Sequence, residues 1–398
     1  MNPEQKKQFE TLREIISARA DEYEIAAAAQ ERVWNNTASG CGSVSVGAAA
    51  TQERVWTGAL NSCPLLLNVE LPEHLAGFPR YNPGEIHHDK DKMLLNGMLE
   101  MAGAALGGMQ SVPSLRANMG CGIFASMFPG VTQRLFYDAR MPWVVEHLPK
   151  ERIAAMGEED VGVTDEFRLA LDHMDYLAEH IDGTGAYVYP LDVQGPFDVA
   201  HLVYGDAIFY DLYDDPPFIH HLMNLCIHAI IVGFEECLKR IPRSNERIAH
   251  YNSLVMPRSL GGVKLSEDTS TLVGGHHLDE FVVPATARVL ERFGGGYIHY
   301  CGKHEGLFNR LLQLPLVRGF NFGNPDFHDM DEKLGRIAAA GKAYYGSVPA
   351  RAGESRCDFF TRVRRAATPE GGVCRLLLQY ASPYDERDDV RADWAASS

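Results

Sequence analysis

Between residues 263 and 382 short apolar runs alternate with amphipathic stretches, and no other feature of the chain narrows its fold as much. The runs are Val263–Ser266, the stretch ending in His299 and Cys301, Arg318–Phe322, Ala343–Val348 and Cys374–Tyr380. Helical patterns at His277–Phe293, Glu305–Leu314, Asp331–Ala340 and Arg356–Ala367 separate them. Runs apolar on both alternate sets of positions are strands buried on both faces, and helical crossovers between them predict a parallel sheet. The same reading upstream predicts strands at Pro64–Leu71, Val112–Met119, Ala186–Val193 and Ile248–Ser253. It predicts helices at Asp91–Ala105 and Thr164–Ile181, and a long one that opens at Asp214-Asp215, carries Pro216 in its first turn and runs to Ile241. About eight strands over this length favour an α/β fold of the closed (β/α)8 TIM-barrel type over an open doubly wound sheet. No strand is followed by GxGxxG or GxxxxGK[ST], which argues against nucleotide binding.

The barrel is expected over 61–398, behind an N-terminal helical extension over 1–60. Phe9, Leu12, Ile15 and Ile16 stand at helical spacing, and Ala26–Ala29 favour helix. A pentapeptide repeats here: Gln30-Glu31-Arg32-Val33-Trp34 recurs as Gln52-Glu53-Arg54-Val55-Trp56, with a Gly-, Ser- and Asn-rich loop between. The repeat reads as two helical pieces that each pack a Val-Trp pair.

A formal charge of -16 sets nucleic acid and anionic membrane aside as partners. The eight cysteines show no CxxC spacing, and Met1–Arg19 lacks the apolar core of a signal peptide. Reduced thiols in the cytoplasm are therefore expected. The longest apolar run, Leu225–Phe234, is too short to span a bilayer.

In such a barrel the reacting groups lie at the C-terminal ends of the strands. At one of these ends Gly294-Gly295-Gly296 leads into Tyr297-Ile298-His299-Tyr300-Cys301-Gly302. Residues two apart on a strand share a face, so His299 and Cys301 present an imidazole and a thiolate together, as a zinc site requires. The preceding strand ends in Glu267 and Asp268, either of which could be a third ligand; Glu267 is taken as the metal-ligand candidate. Both also stand, with Asp192, as catalytic carboxylate candidates. Other strand ends bring Arg116, Asn118, Gln194, Asn321 and Tyr380 as candidate substrate contacts, while Cys374 falls at the opposite end of its strand. A second reading stands beside this one: Cys301 as a small buried hydrophobe and His299 as a satisfied core residue. The pairs His220-His221 and His276-His277 read as surface or cap residues on helices.

Several stretches carry a resemblance. Asp192-Val-Gln-Gly-Pro-Phe197, Asp211-Leu-Tyr-Asp-Asp-Pro216, Leu265-Ser-Glu-Asp-Thr-Ser270 with Glu280-Phe281 and Pro284, and His299-Tyr-Cys-Gly302 occur in order. Over roughly 90–382 the chain resembles the uroporphyrinogen decarboxylase superfamily of (β/α)8 barrels. The Arg-rich N-terminal segment of true uroporphyrinogen decarboxylases has no counterpart here. The chain is closer to the zinc-dependent corrinoid methyltransferase branch, in which HxCG supplies two zinc ligands. That resemblance implies zinc at His299 and Cys301, a corrinoid carried by a partner protein, a small methyl donor or acceptor (ether, amine or thiol), and a homodimer. A third Cys ligand that many of these enzymes carry on the last strand is absent from Leu377–Ser382, which shifts the third ligand to a carboxylate. The alternatives are a metal-free decarboxylase of a pyrrole or other carboxylated substrate, with Arg116 gripping it, and a non-catalytic corrinoid-binding barrel.

Overall fold

A computed structural model describes residues 1–35, 63–134 and 141–397. The second pentapeptide and the boundary at residue 60 lie outside these residues. The strands are β1 (Leu65–Val69), β2 (Ser114–Leu115), β3 (Thr132–Arg134), β4 (Trp143–Glu146), β5 (Tyr187–Val188), β6 (Arg247–His250), β7 (Leu254–Pro257), β8 (Val263–Ser266), β9 (Gly296–Tyr300), β10 (Val317–Phe322), β11 (Ala343–Gly346) and β12 (Leu376–Ser382). Six form one parallel sheet in the order β1-β12-β11-β10-β9-β8. β2 and β5 pair in parallel, and a single parallel bridge, Gln194 to Ser266, joins the segment after β5 to β8. Eight parallel strands thus follow one another as β2-β5-β8-β9-β10-β11-β12-β1. Between the two ends of that series the described residues form no ladder, although Gln110 N donates to Leu65 O at 3.2 Å.

The alternation of side chains separates two cores. Leu65, Leu67, Ile298, Tyr344, Leu376 and Leu378 pack with the helices. Their neighbours Leu66, Tyr297, Ala343, Tyr345 and Leu377 form a second cluster with Val33, Trp34, Leu254 and Met256. Most of both faces of the sheet is therefore buried, as near-continuous apolar strands require.

Three expected elements take a different form. The N-terminal helix is two, Pro3–Ser17 and Ala20–Asn35. The expected strand Ile248–Ser253 is one arm of an antiparallel hairpin, β6–β7, because Tyr251–Ser253 turns the chain and Ser253 adopts a φ of 68°. The helix His277–Phe293 begins with a wide turn over Leu278–Val282 and becomes a regular helix at Val283–Phe293, with Pro284 in its first turn. Proline has no N–H to donate back into the preceding turn, which suits a change of helical pitch there. Cys63 and Cys374, expected as thiols, are joined in a disulfide with Cα atoms 5.8 Å apart, because β1 and β12 run side by side. The expected long helix is Pro216–Arg240, capped by Asp215 Oδ1 on Phe218 N at 3.2 Å. It is long and apolar enough to cross a membrane, yet 61% of its apolar window is buried inside the protein.

The first pentapeptide seals one end of the sheet. Trp34 Nε1 donates to Val255 O at 3.0 Å, and Gln30 Nε2 donates to Gln110 O and Ser253 O at 2.7 and 2.8 Å. Arg375 Nη1 donates to Val33 O at 2.7 Å. Trp34→Ala should leave a cavity against Gly319 and Tyr297 and destabilise the protein by about 3–5 kcal/mol. Denaturant melts of the wild type and the variant check this; equal midpoints would remove the seal from the account.

Candidate metal centre

Register brings the candidate site together. β8 pairs with β9 so that Ser266 faces His299, and β9 pairs with β10 so that His299 faces Asn321. The chain turns into β9 at Gly294 and Gly295, with φ of 85° and 126°. An L side chain is strained there, and a Cβ on Gly295 would lie 2.7 Å from Leu260 O. Beyond the strand ends, ligand atoms of Asp268, His299 and Cys301 lie within 4.8 Å of one another, the one such group among the described residues. His299 Nε2 is 3.7 Å from Cys301 Sγ and 3.8 Å from Asp268 Oδ1. Asp268 also accepts from Cys301 N, which ties the β8 loop to the end of β9.

The tautomer of His299 follows from its neighbours. Asn321 Nδ2 donates to Tyr345 O at 2.6 Å, so its amide oxygen faces His299 Nδ1 at 2.5 Å and accepts from it. Nε2 is then left with its lone pair toward Cys301 and Asp268, the arrangement that second-neighbour hydrogen bonds give to metal-binding imidazoles. Burial, then Lys264, holds the imidazole below its ordinary value and favours the neutral ring. Burial and then Asp268 push the Cys301 thiol up to about 11. Close approach matters on the β10 side too: a Cβ on Gly323 would lie 2.4 Å from Cys301 Sγ.

Glu267 is not part of this group, which corrects its placing as a metal ligand. Its carboxylate is fully buried and accepts from Ser270 Oγ and Thr286 Oγ1, both at 2.6 Å, on the helix side of the sheet. Strand alternation explains this: Glu267 and Asp268 are consecutive and leave the strand in opposite directions. Burial raises the Glu267 carboxyl to about 7. Tyr380 is likewise turned from the interior, against Phe359 and Phe360 with centroids 6.1 and 5.1 Å away. Its neighbour Gln379 faces inward and donates to Tyr345 Oη at 2.8 Å. Gln194 is buried at the bridge to β8, and Nε2 of the buried His328 meets Gly302 O at 3.1 Å. Arg116 and Asp192 meet on the inner side, and Asn118 stands two residues beyond Arg116.

Sequence reasoning missed Asp198. Its buried carboxylate accepts from Asp268 N at 2.7 Å and Thr269 N at 2.6 Å, and so holds the loop that presents Asp268. The residue is in the first turn of helix Pro196–Tyr204, where an acidic group usually reads as a partner for the helix dipole. Its sequence signal was therefore ambiguous.

A scan of protein-family models matches no family, and no curated protein matches by sequence. Among solved structures, a methyltransferase from Methanosarcina mazei shares the fold, with 14% identity and a TM-score of 0.56 over 87% of this chain and 98% of that one. The chain is thus an α/β protein with a parallel sheet and N-terminal helices, similar in fold to a methyltransferase.

Asn321→Ala should release the ring of His299 and, if the three donors hold a zinc ion, weaken its binding by about 10–100-fold. Competition against a chromophoric chelator, with circular dichroism unchanged, reads this; unchanged affinity would mean that the tautomer is set elsewhere.

Proposed function

We propose that the chain is a zinc-dependent methyltransferase of the uroporphyrinogen decarboxylase superfamily. In this reading the eight parallel strands close as a (β/α)8 barrel, and a small methyl donor or acceptor exchanges its methyl group with a corrinoid on a partner protein. The observation that carries it is the convergence of Asp268, His299 and Cys301 at the C-terminal ends of β8 and β9. One oxygen, one nitrogen and one sulfur donor are a set that zinc accepts, and three protein ligands leave a position open for substrate. The fold shared with an archaeal methyltransferase supports the class of reaction.

His299, Cys301 and Asp268 would hold the ion. When bound, zinc acts as a Lewis acid on the heteroatom that bears or receives the methyl group. The protein's own residues supply the rest. Asn321 keeps Nε2 of His299 free of a proton, and Asp198 fixes the loop of Asp268. Asp192, a catalytic candidate in the sequence, has a different part. Burial alone would raise its carboxyl, but Arg116 and Lys264 hold it well below the ordinary range, so it stays ionised and is no proton donor near neutral pH.

Purified protein grown with zinc should carry one equivalent, and Asp268→Ala, His299→Ala and Cys301→Ala should each lose it. Protein without zinc that cannot be reloaded sinks the reading. The metal must displace the Cys301 proton, so zinc affinity should rise about tenfold per pH unit from pH 6.5 to 8.5. His299, held below its ordinary value and so already neutral there, adds no further slope. A flat profile would exclude Cys301 as a ligand. Corrinoid absorbance changes with candidate methyl donors then test methyl transfer itself.

A further inference from the structure

The tip of the β6–β7 hairpin reaches across the inner side of the sheet. His250 O accepts from Ser114 Oγ at 2.9 Å, and Tyr251 O accepts from Tyr345 Oη. Ser253 O accepts from Gln30 Nε2 and from Val112 N, the latter at 3.4 Å. The tip is thus fixed at once to the start of β2, to β11 and to the helix Ala20–Asn35. Yet the side chain of Tyr251 is 56% exposed, although Tyr189 and Tyr345, within electrostatic reach of it, are buried. A fixed ring that stays open on the inner side lines a cavity there.

A second open side chain faces the same place. The helix Lys90–Gly107 has one exposed residue, Glu100. Gly97, Gly103 and Gly107 bring the backbone of this helix close to Leu115, Asn68 and Leu67. Glu100 is one turn from both Gly97 and Gly103, so it shares the face turned to β1 and β2. Between those two strands the described residues form no ladder. Burial raises the Tyr189 hydroxyl, and Arg116, Glu100 and Tyr251 all act on it, which gathers the three about one point.

The acceptors here have no donors. Burial, against Arg80 and then Arg116, raises the Glu100 carboxyl, which has no hydrogen-bond or ion-pair partner among the described residues. Asn118 Oδ1, two residues beyond Arg116, is buried without a hydrogen-bond partner. An enclosed acceptor without a donor is costly, and an incoming O–H or N–H relieves that cost. An ammonium would meet Arg80 and Arg116, whereas a neutral hydroxyl would not be repelled. The open face of Tyr251 suits a flat ring.

We propose that Tyr251, Glu100 and Asn118 form a pocket for a hydroxylated aromatic ring. The ring lies on Tyr251, its hydroxyl donates to Glu100, and Asn118 Oδ1 is the second acceptor. The pocket stands on this geometry alone. Its use for the end of the methyl donor or acceptor remote from the reacting heteroatom rests on the zinc reading above.

Calorimetry on the full chain tests this with phenol against anisole and 2-methoxyphenol against 1,2-dimethoxybenzene, pairs that differ in the O–H donor. In chelator-stripped protein at least one hydroxyl compound should bind roughly tenfold or more tighter than its methylated partner. Glu100→Ala should remove that preference. Glu100→Gln, which keeps the shape and loses the charge, should reduce it by roughly threefold or more, and it decides the matter if the alanine variant does not fold. Tyr251→Ala should weaken both members of a pair by roughly threefold or more, while Tyr251→Phe keeps the affinity of the wild type. The proposal is overturned if neither hydroxyl compound binds, if affinities within each pair are equal, if the preference survives both Glu100 variants, or if Tyr251→Ala loses nothing. A hydroxyl preference in a protein with no zinc affinity would keep this pocket and remove the metal reading; zinc affinity without that preference would do the reverse.

Discussion

The site depends on one alignment: Ser266, His299 and Asn321 lie side by side across β8, β9 and β10. A strand's side chains alternate, so a slip of one residue in β9 would turn His299 and Cys301 into the helix layer and bring Tyr300 inward. The alignment is held by packing on the outer face. Ile298, Tyr300, Phe320 and Phe322 are buried there, and none could be turned inward without losing its contacts. The candidate metal site is thus positioned by apolar residues on the opposite face of the strands.

The interior divides along its length. Toward the N-terminal ends of the strands it is apolar, filled by Trp34, Leu254, Met256, Tyr297 and Leu377. Toward the C-terminal ends it carries Arg116, Asp192, Lys264, His299 and Asp268. The helix Ala20–Asn35 and the β6–β7 hairpin close the first half, so the polar groups are approached from the other. Charges in such a space are weakly screened, which is why Asp192 stays ionised between two cations while Glu267, buried on the other side with hydroxyl partners only, is raised.

Much of this was legible in the residues. Alternating strand and helix patterns located β8 to β12 within a few positions, and the spacing of His299 and Cys301 put them on one face. Where the reading went astray, the cause was a contact far away in sequence. Glu267 and Asp268 are equally good ligands by type; only the direction of the chain at the end of β8 separates them. The run at residue 248 has the composition of a strand, and nothing local says that its partner is the next segment. Cys63 and Cys374 share a bond because the first and last strands of the sheet are neighbours, a fact of topology with no trace in their spacing. Asp198 is read by backbone N–H groups 70 and 71 residues later.

By itself the sequence determined the alternating layers, the strand-end position of the HxC pair and the apolar character of both sheet faces, because these follow from periodicity within a dozen residues. Tertiary structure decided which carboxylate joins His299 and Cys301, which nitrogen of His299 is free, and how Arg116, Asp192 and Lys264 meet. Each of those depends on side chains from different strands arriving within about 4 Å of one another, the range over which hydrogen bonds and ion pairs act. That proximity is set by strand order and register.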